Sequence, residues 1–146
     1  MNLLYGHDVL VSDFVAQNIP GCERGFTNCK AIGVLGQAGL IAGVIYHNWA
    51  PEAGVIEMSC AATDPRWLTK TILHTIFAYP FEGVGCQMVV TRVSENNGRM
   101  VRIFRALGFG EHLIPRLRGR NESEFIFTLT IEAWQSLPIF KRCRNG

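Results

Sequence analysis

The stretch Asn97-Gly98-Arg99-Met100-Val101-Arg102-Ile103-Phe104-Arg105-Ala106-Leu107-Gly108-Phe109 decides the fold of this chain. Asn97 can cap the free amides at a helix start, and Gly108 can end the helix because glycine readily adopts a left-handed conformation. Three apolar residues between them recur at helical spacing and predict one buried face: Val101, Phe104 and Leu107. We therefore expect a short amphipathic helix that stops just before Phe109.

The segments around this helix predict strands. Residues 87–93 are apolar enough for a central strand, and residues 111–118 and 124–131 flank a turn, as in a closing hairpin. Three further β-rich runs, separated by turns that contain Gly or Pro, lie upstream: residues 29–35, 40–49 and 55–62.

Two more helices complete the order. Residues 8–19 have apolar side chains at helical spacing, and a second helix should begin where Asp64 can cap it and Pro65 can take its first position, ending at about Tyr79. A strand, helix, strand order over residues 55–93 requires a crossover and hence a parallel pair. We expect an α/β domain in which helices cover both faces of a mixed, mostly antiparallel sheet of about six to seven strands.

Composition bounds the class of protein. The chain has 146 residues, which predicts a single domain over 1–146. It is 48% hydrophobic and 18% charged, enough apolar content for a real core. A net charge of only +2 argues against nucleic-acid binding. The basic residues of two local clusters are interpreted as solvated surface: Arg116, Arg118 and Arg120, and Lys141, Arg142 and Arg144.

Cysteine usage and hydropathy bear on location. The five cysteines are odd in number and form no C-x-x-C pair, which argues against a zinc site or a disulfide scaffold and favours the cytoplasm. Residues 1–8 lack the pattern of an export signal. The most apolar stretch, residues 31–46, is interrupted by glycines and shorter than the ~20 residues of a membrane span. We expect no metal and no membrane association.

Residues 97–109 resemble the late signature of the GNAT superfamily of acyl-CoA-dependent N-acyltransferases, which reads Asn, a short amphipathic helix, an aromatic residue and Gly-Phe. The resemblance covers about residues 8–134 and leaves 135–146 as a C-terminal tail. It implies one GNAT-like domain whose central parallel strands separate to form the cleft for acetyl-CoA, the cosubstrate. The open alternative is a purely structural motif, in which Asn97 caps, Gly108 terminates, and the aromatic residues belong to the core.

Two weaker resemblances concern the branch. Glu132-Ala133-Trp134 resembles the end of the ribosomal-protein N-acetyltransferases. Tyr46-His47-Asn48-Trp49 and Asp64-Pro65-Arg66-Trp67 resemble small members carried by phages and prophages.

The chain departs from the family where the cofactor phosphates bind. The usual Gln/Arg-x-x-Gly-x-Gly/Ala loop is replaced by residues 64–71, which contain no glycine. The resemblance still assigns cofactor contacts to this segment, namely to Arg66, Leu68, Thr69 and Lys70. A helix start attracts anions, and the two basic side chains can either bond phosphate or remain solvated.

The resemblance also assigns the pantetheine channel. Asn97 and Phe104 should line it, and the backbone amides near Ser59, Cys60 and Ala61 should hydrogen-bond the thioester oxygen. Many members have a tyrosine at the position of Phe104, placed to protonate the departing thiolate, and phenylalanine has no proton to give. The Cys60 thiol itself is interpreted as buried and inert.

Glu57 is the candidate base, because it is alone in an apolar strand where desolvation should raise its pKa. The alternative is an internal ion pair with Arg92 or His47. His47, at the end of the preceding strand, is the second candidate base, a residue at the substrate's edge, or simply a hydrogen-bonded surface group.

Two functions follow. The first is an N-acetyltransferase that moves an acetyl group from acetyl-CoA to an amine of a protein or small molecule by direct attack. The second is a catalytically silent module that binds acyl-CoA or a protein partner, and it is suggested by Phe104 and the missing glycine loop. The chain is expected to be a monomer or a homodimer.

Overall fold

A computed structural model describes residues 2–22, 24–26 and 28–138. Its strands are β1 (Asn2–Tyr5), β2 (Lys30–Gly36), β3 (Gly39–Ala50), β4 (Val55–Ala62), β5 (Met88–Ser94), β6 (Gly110–Gly119) and β7 (Glu122–Thr130). Its helices are α1 (Asp8–Asn18), α2 (Lys70–Ala78), α3 (Gly98–Ala106) and α4 (Ile131–Gln135). A short 3₁₀ helix, Pro65–Trp67, precedes α2, and a π-helical turn, Tyr79–Val84, follows it.

The seven strands form one sheet in the order β1-β2-β3-β4-β5-β7-β6. Every neighbouring pair is antiparallel except β4 and β5, which are joined by the crossover through α2. The parallel pairing runs from Val55 opposite Met88 to Met58 opposite Thr91 and stops there, although both strands continue. The predicted α/β class and the predicted separation of a central parallel pair are therefore confirmed.

The main core lies between one face of the sheet and helices α2 and α3. Its largest fully buried side chains include Trp134, Phe77, Phe104 and Phe127. Each such side chain contributes roughly 1.5–3 kcal/mol when removed from water. Burial of Val101 and Phe104 and a left-handed Gly108 (φ 81°) match the predicted short helix.

Helix α1 covers only part of the opposite face. A Cβ at Gly43 would lie 2.7 Å from Val11 Cγ1 and 2.8 Å from Val15 Cγ2, so the absent side chain lets α1 sit directly on β3. Ala31 and Ile45 complete this smaller core. Because α1 packs on β2, β3 and β4, it leaves this face of β5 open beside β4.

Three details of the prediction are wrong. The helix expected at Pro65 begins at Lys70, because the Asp64 side chain caps the short 3₁₀ helix and Thr69 caps α2 by accepting a hydrogen bond from Ile72 N at 3.2 Å. Strand β1 is not predicted, since four residues are too few for a pattern and the strand forms only by pairing with β2. Helix α4 begins where the pattern predicts the end of a strand. The basic cluster of residues 141–144 lies outside the described residues.

Candidate active site

A cleft of about 1190 Å³ opens where β4 and β5 separate. On one face of the sheet it is lined by His47, Glu57, Ser59 and Arg92, and on the other by Trp67, Asn97 and Phe104, among others. His47 is registered with Glu57, and Glu57 with Val90, so the side chains at these positions and two residues further along project from one face. The cleft therefore passes through the sheet and offers separate entrances to two substrates.

The two candidate bases lie together on the face that carries α1. His47 Nε2 is 3.6 Å from Glu57 Oε2 and 2.9 Å from Ser59 Oγ. The imidazole is 8% exposed and packs edge-on against Phe26, whose ring centroid is 5.0 Å away. The predicted contact between Glu57 and His47 exists, whereas Arg92 pairs with Glu124 instead.

Asn48 holds this pair in place and was missed by the sequence analysis. Its Nδ2 donates to Glu57 Oε1 at 3.0 Å and lies 3.3 Å from His47 Nδ1. The residue is left-handed (φ 52°) in a bulge where the register with β4 shifts between His47 and Ala50. Asparagine tolerates this conformation better than most residues. An asparagine at a strand end gives no local sign of such a bulge.

Burial is the main influence on the protonation of His47. Desolvation lowers its pKa below the usual range, the nearby Glu57 carboxylate opposes that shift, and Arg92 adds to it. The ring is thus neutral at pH 7. Because the Asn48 amide donates to Nδ1, the hydrogen-bond pattern assigns the proton to Nε2, facing Ser59 and Glu57. Glu57 then meets a neutral imidazole, and its negative charge is not cancelled by this neighbour.

The end of β4 that no longer pairs with β5 forms the middle of the cleft. Ser59, Cys60 and Ala61 all line it, beyond the last residue of the parallel pairing. Burial raises the pKa of Cys60 to about 12, so this thiol stays protonated. That agrees with the prediction of an inert cysteine.

The predicted cap at α3 is present. Asn97 Oδ1 accepts from Met100 N at 3.3 Å, and Asn97 lines the cleft. Phe104 also reaches the cleft, yet it is 2% exposed and its ring lies 4.8 Å from that of Phe109 and 5.3 Å from that of Phe127. It thus belongs both to the core and to the cleft wall.

The remaining cofactor candidates lie beside the cleft rather than in its wall. Arg66 makes two bonds to Asp64, at 3.0 and 2.8 Å, and holds the pKa of that carboxyl at about 2. Its charge is therefore matched locally. Leu68 ends the 3₁₀ helix, Thr69 caps α2, and Lys70 begins it. Their neighbours Pro65 and Trp67 do line the cleft.

Arg99 and Arg118 line the cleft and were not singled out as site residues. Arg99 Nη2 donates to the Pro65 carbonyl at 2.6 Å and links α3 to the 3₁₀ helix. The interpretation of Arg118 as solvated surface is wrong: its side chain is 19% exposed and bonds Glu124. Arg116 is left-handed (φ 66°) and the register with β7 shifts between Ile114 and Gly119, which breaks the alternation that the prediction assumed.

Metal ligands and membrane spans can be assessed for the described residues only. They contain no group of three or more His, Cys, Asp or Glu side chains placed to hold a metal ion. Within residues 2–22, 24–26 and 28–138, every helix is too short or too polar to span a bilayer.

No protein-family model and no curated protein sequence matches the chain. Solved structures do. A mutant of spermidine N-acetyltransferase SpeG from Vibrio cholerae superposes with a TM-score of 0.74 at 11% identity, over 93% of this chain and 98% of that one. The chain has the GNAT fold. A structure provisionally described as an acetyltransferase gives 0.66 at 17% identity over 78% of this chain, which spans only 63% of that neighbour. Another so described, from T. thermophilus, gives 0.66 at 17% identity, over 83% of this chain and 69% of that one.

Proposed function

We propose that this chain is an N-acetyltransferase that transfers an acetyl group from acetyl-CoA to an amine of a protein or small molecule. The observation that carries the proposal is the cleft through the sheet at the separated end of β4 and β5. It joins a polar cluster on one face to the α3 start on the other. A reaction between two substrates needs them held together in such a way.

Acetyl-CoA would supply the thioester. Asn97 and Phe104 line the entrance beside α3, and the β4 segment from Ser59 to Ala61 continues the path to the polar cluster. Beyond the point where pairing with β5 stops, β4 has backbone groups available to polarise a carbonyl oxygen. Arg66, Leu68, Thr69 and Lys70 remain the candidates for the outer phosphates, and Arg99 joins them because it lines the cleft.

Glu57 is the proposed base. Amine attack needs a neutral amine, and lysine and N-terminal amines are largely protonated at pH 7. Asn48 and His47 fix the carboxylate at the wall of the cleft, with a neutral imidazole as its neighbour. The imidazole carries its proton on the nitrogen that faces Glu57, so His47 positions the carboxylate and Glu57 accepts the proton.

The thiolate of CoA would leave without a tyrosine. Phe104 packs in the aromatic core and has no proton to donate. A thiol with a pKa of about 8.5 is a tolerable leaving group without an acid. The same residue is the observation that favours the second candidate function, a catalytically silent module that binds acyl-CoA or a protein.

Finer assignments are proposals too. The resemblance of Glu132-Ala133-Trp134 favours a protein amine, as in the ribosomal-protein branch, and the phage-like segments favour a phage or prophage origin. The cytoplasm is the proposed location, and a monomer or homodimer the proposed state.

The deciding experiment combines calorimetry with acetyl-CoA and thiol release in the presence of an amine panel, with mass spectrometry of the products. We expect saturable binding and amine-dependent release of CoA. Binding without acetylation of any amine would support the silent module. Neither binding nor release would overturn both functions.

A further inference from the structure

Two arginines share one buried glutamate at the wall of the cleft. Arg92 donates to Glu124 through Nε at 3.2 Å and Nη2 at 2.8 Å, and Arg118 donates through Nε at 3.3 Å. The Glu124 side chain is 1% exposed, whereas those of Arg92 and Arg118 are 44% and 19% exposed. Arg118 Nη1 also donates to the Pro20 carbonyl at 3.3 Å. The group carries two positive charges against one negative charge.

The donors that remain on these arginines point to an anion. The structure gives Arg92 Nη1 and Arg118 Nη2 no hydrogen-bond partner among the described residues, and both side chains line the cleft. Glu124 is already saturated by guanidinium donors and is buried, so it cannot also receive a substrate ammonium. Of the other carboxylates in this wall, Glu57 is held by Asn48, and Glu122 accepts from Ser94 Oγ.

The register fixes where such an anion would lie. Arg92 is two residues beyond Val90, the partner of Glu57, and projects from the same face of the sheet. Two residues of strand advance about 7 Å. An amine at Glu57 and an anionic group at Arg92 would therefore be separated by several bonds of one small acceptor or peptide terminus.

We propose that the acceptor amine carries a carboxylate, which Arg92 and Arg118 bind while Glu57 receives the amine. This inference rests on the proposed acetyltransferase function. It also separates the chain from a polyamine acetyltransferase, because the second ammonium of a polyamine would be placed against the guanidinium groups.

A matched series of acceptors tests the proposal on the unmodified protein. At each length from two to six carbons, an ω-amino acid, an n-alkylamine and an α,ω-diamine differ only in the group opposite the amine. We expect kcat/KM to be roughly tenfold or more higher for the amino acid at one length, as for a charge-assisted bidentate contact. Ala-Glu-amide against Ala-Gln-amide adds a peptide arm, and preference in one arm alone identifies the source of the carboxylate. Equal rates within every set would overturn the proposal.

A variant adds a second test. Arg92→Gln keeps a donor for Glu124 and removes one charge, so it should reduce the preference for the carboxylate by about tenfold while activity on alkylamines stays near normal. Arg105→Gln is the control, since Arg105 makes a similar two-bond pair with Glu111 outside the cleft. An unchanged preference in folded Arg92→Gln would overturn the assignment. If that variant fails to fold, the acceptor series on the unmodified protein still decides.

The anion site can also be tested apart from the chemistry. If no amine is acetylated at all, the proposed function fails, and calorimetry with the same series decides whether the anion site exists. Tighter binding of the ω-amino acids than of the alkylamines would support the site. Equal binding would overturn it.

Discussion

Replacing Glu57 with glutamine should lower turnover and leave the fold intact. The Glu57 side chain is 20% exposed. Its Oε1 accepts from Asn48 Nδ2 at 3.0 Å, and a glutamine oxygen can accept the same bond. Its Oε2 lies 3.6 Å from His47 Nε2, too far for a normal hydrogen bond. The free energy of unfolding of Glu57→Gln should therefore change by no more than about 1 kcal/mol.

The catalytic loss should be much larger and should depend on pH. A positioned base contributes roughly 10²–10⁴-fold, which corresponds to about 2.7–5.4 kcal/mol of transition-state stabilisation. Below the pKa of the acceptor amine, the base must take a proton, so the full loss should appear there. For an α-amine with a pKa near 8, the rates of variant and wild type should converge as the pH rises above that value.

Thiol release at saturating acetyl-CoA and amine, measured from pH 6 to 9.5, is the assay. Calorimetry with acetyl-CoA and urea unfolding check the variant's binding and folding. Glu111→Gln is the matched control, because Glu111 pairs with Arg105 outside the cleft. A Glu57→Gln protein that folds, binds acetyl-CoA and acetylates at the normal rate at every pH would refute the assignment and leave Glu57 a structural carboxylate.

Three further outcomes are expected. Asn97→Ala should lower the free energy of unfolding by about 0.5–2 kcal/mol and raise KM for acetyl-CoA, whereas Thr69→Ala, which removes the cap of α2, should lower stability alone; equal KM values would leave Asn97 only the capping role. Arg99→Ala should weaken acetyl-CoA binding by roughly tenfold in calorimetry, and unchanged affinity would exclude it from the cofactor site. Because the pKa of folded His47 is lowered, the unfolded chain binds the extra proton as pH falls from about 6.5 to that pKa, so stability should decline across this window in wild type and less in His47→Asn, by urea unfolding. Identical pH profiles of stability would contradict the burial effect.

Periodicity predicted the strands from β2 to β7 and three helices, because each of them buries one regular face. It could not choose between two helix caps five residues apart. Asp64 and Thr69 both accept hydrogen bonds from backbone amides, but Asp64 serves the 3₁₀ helix and Thr69 serves α2. Local rules identify each cap correctly, and only the packed chain shows which helix continues.

The site was partly readable for a similar reason. Glu57 was visible as a charge in an apolar strand, and His47 as a polar residue at a strand end. Asn48 and Arg118 were not, because their positions depend on a left-handed residue and a register shift: φ 52° at Asn48 itself, and φ 66° at Arg116 beside Arg118. A change of register by one residue moves a side chain to the other face of a sheet. Regular alternation therefore fails at the irregular positions that shape this cleft.

The opening between β4 and β5 is supported from both sides. β4 continues its ladder with β3 to Ala62 opposite Ala42, and β5 continues with β7 to Ser94 opposite Glu124. Each strand thus keeps one full set of neighbours after it leaves the other. The pair Arg92 and Glu124 adds an ionic link from β5 to β7 on the acceptor side, at the level where the parallel pairing has already stopped. Because the backbone on either side of the gap is fixed in this way, binding of substrates needs no separation of strands, and the chain's binding energy can go to orienting the amine and the thioester.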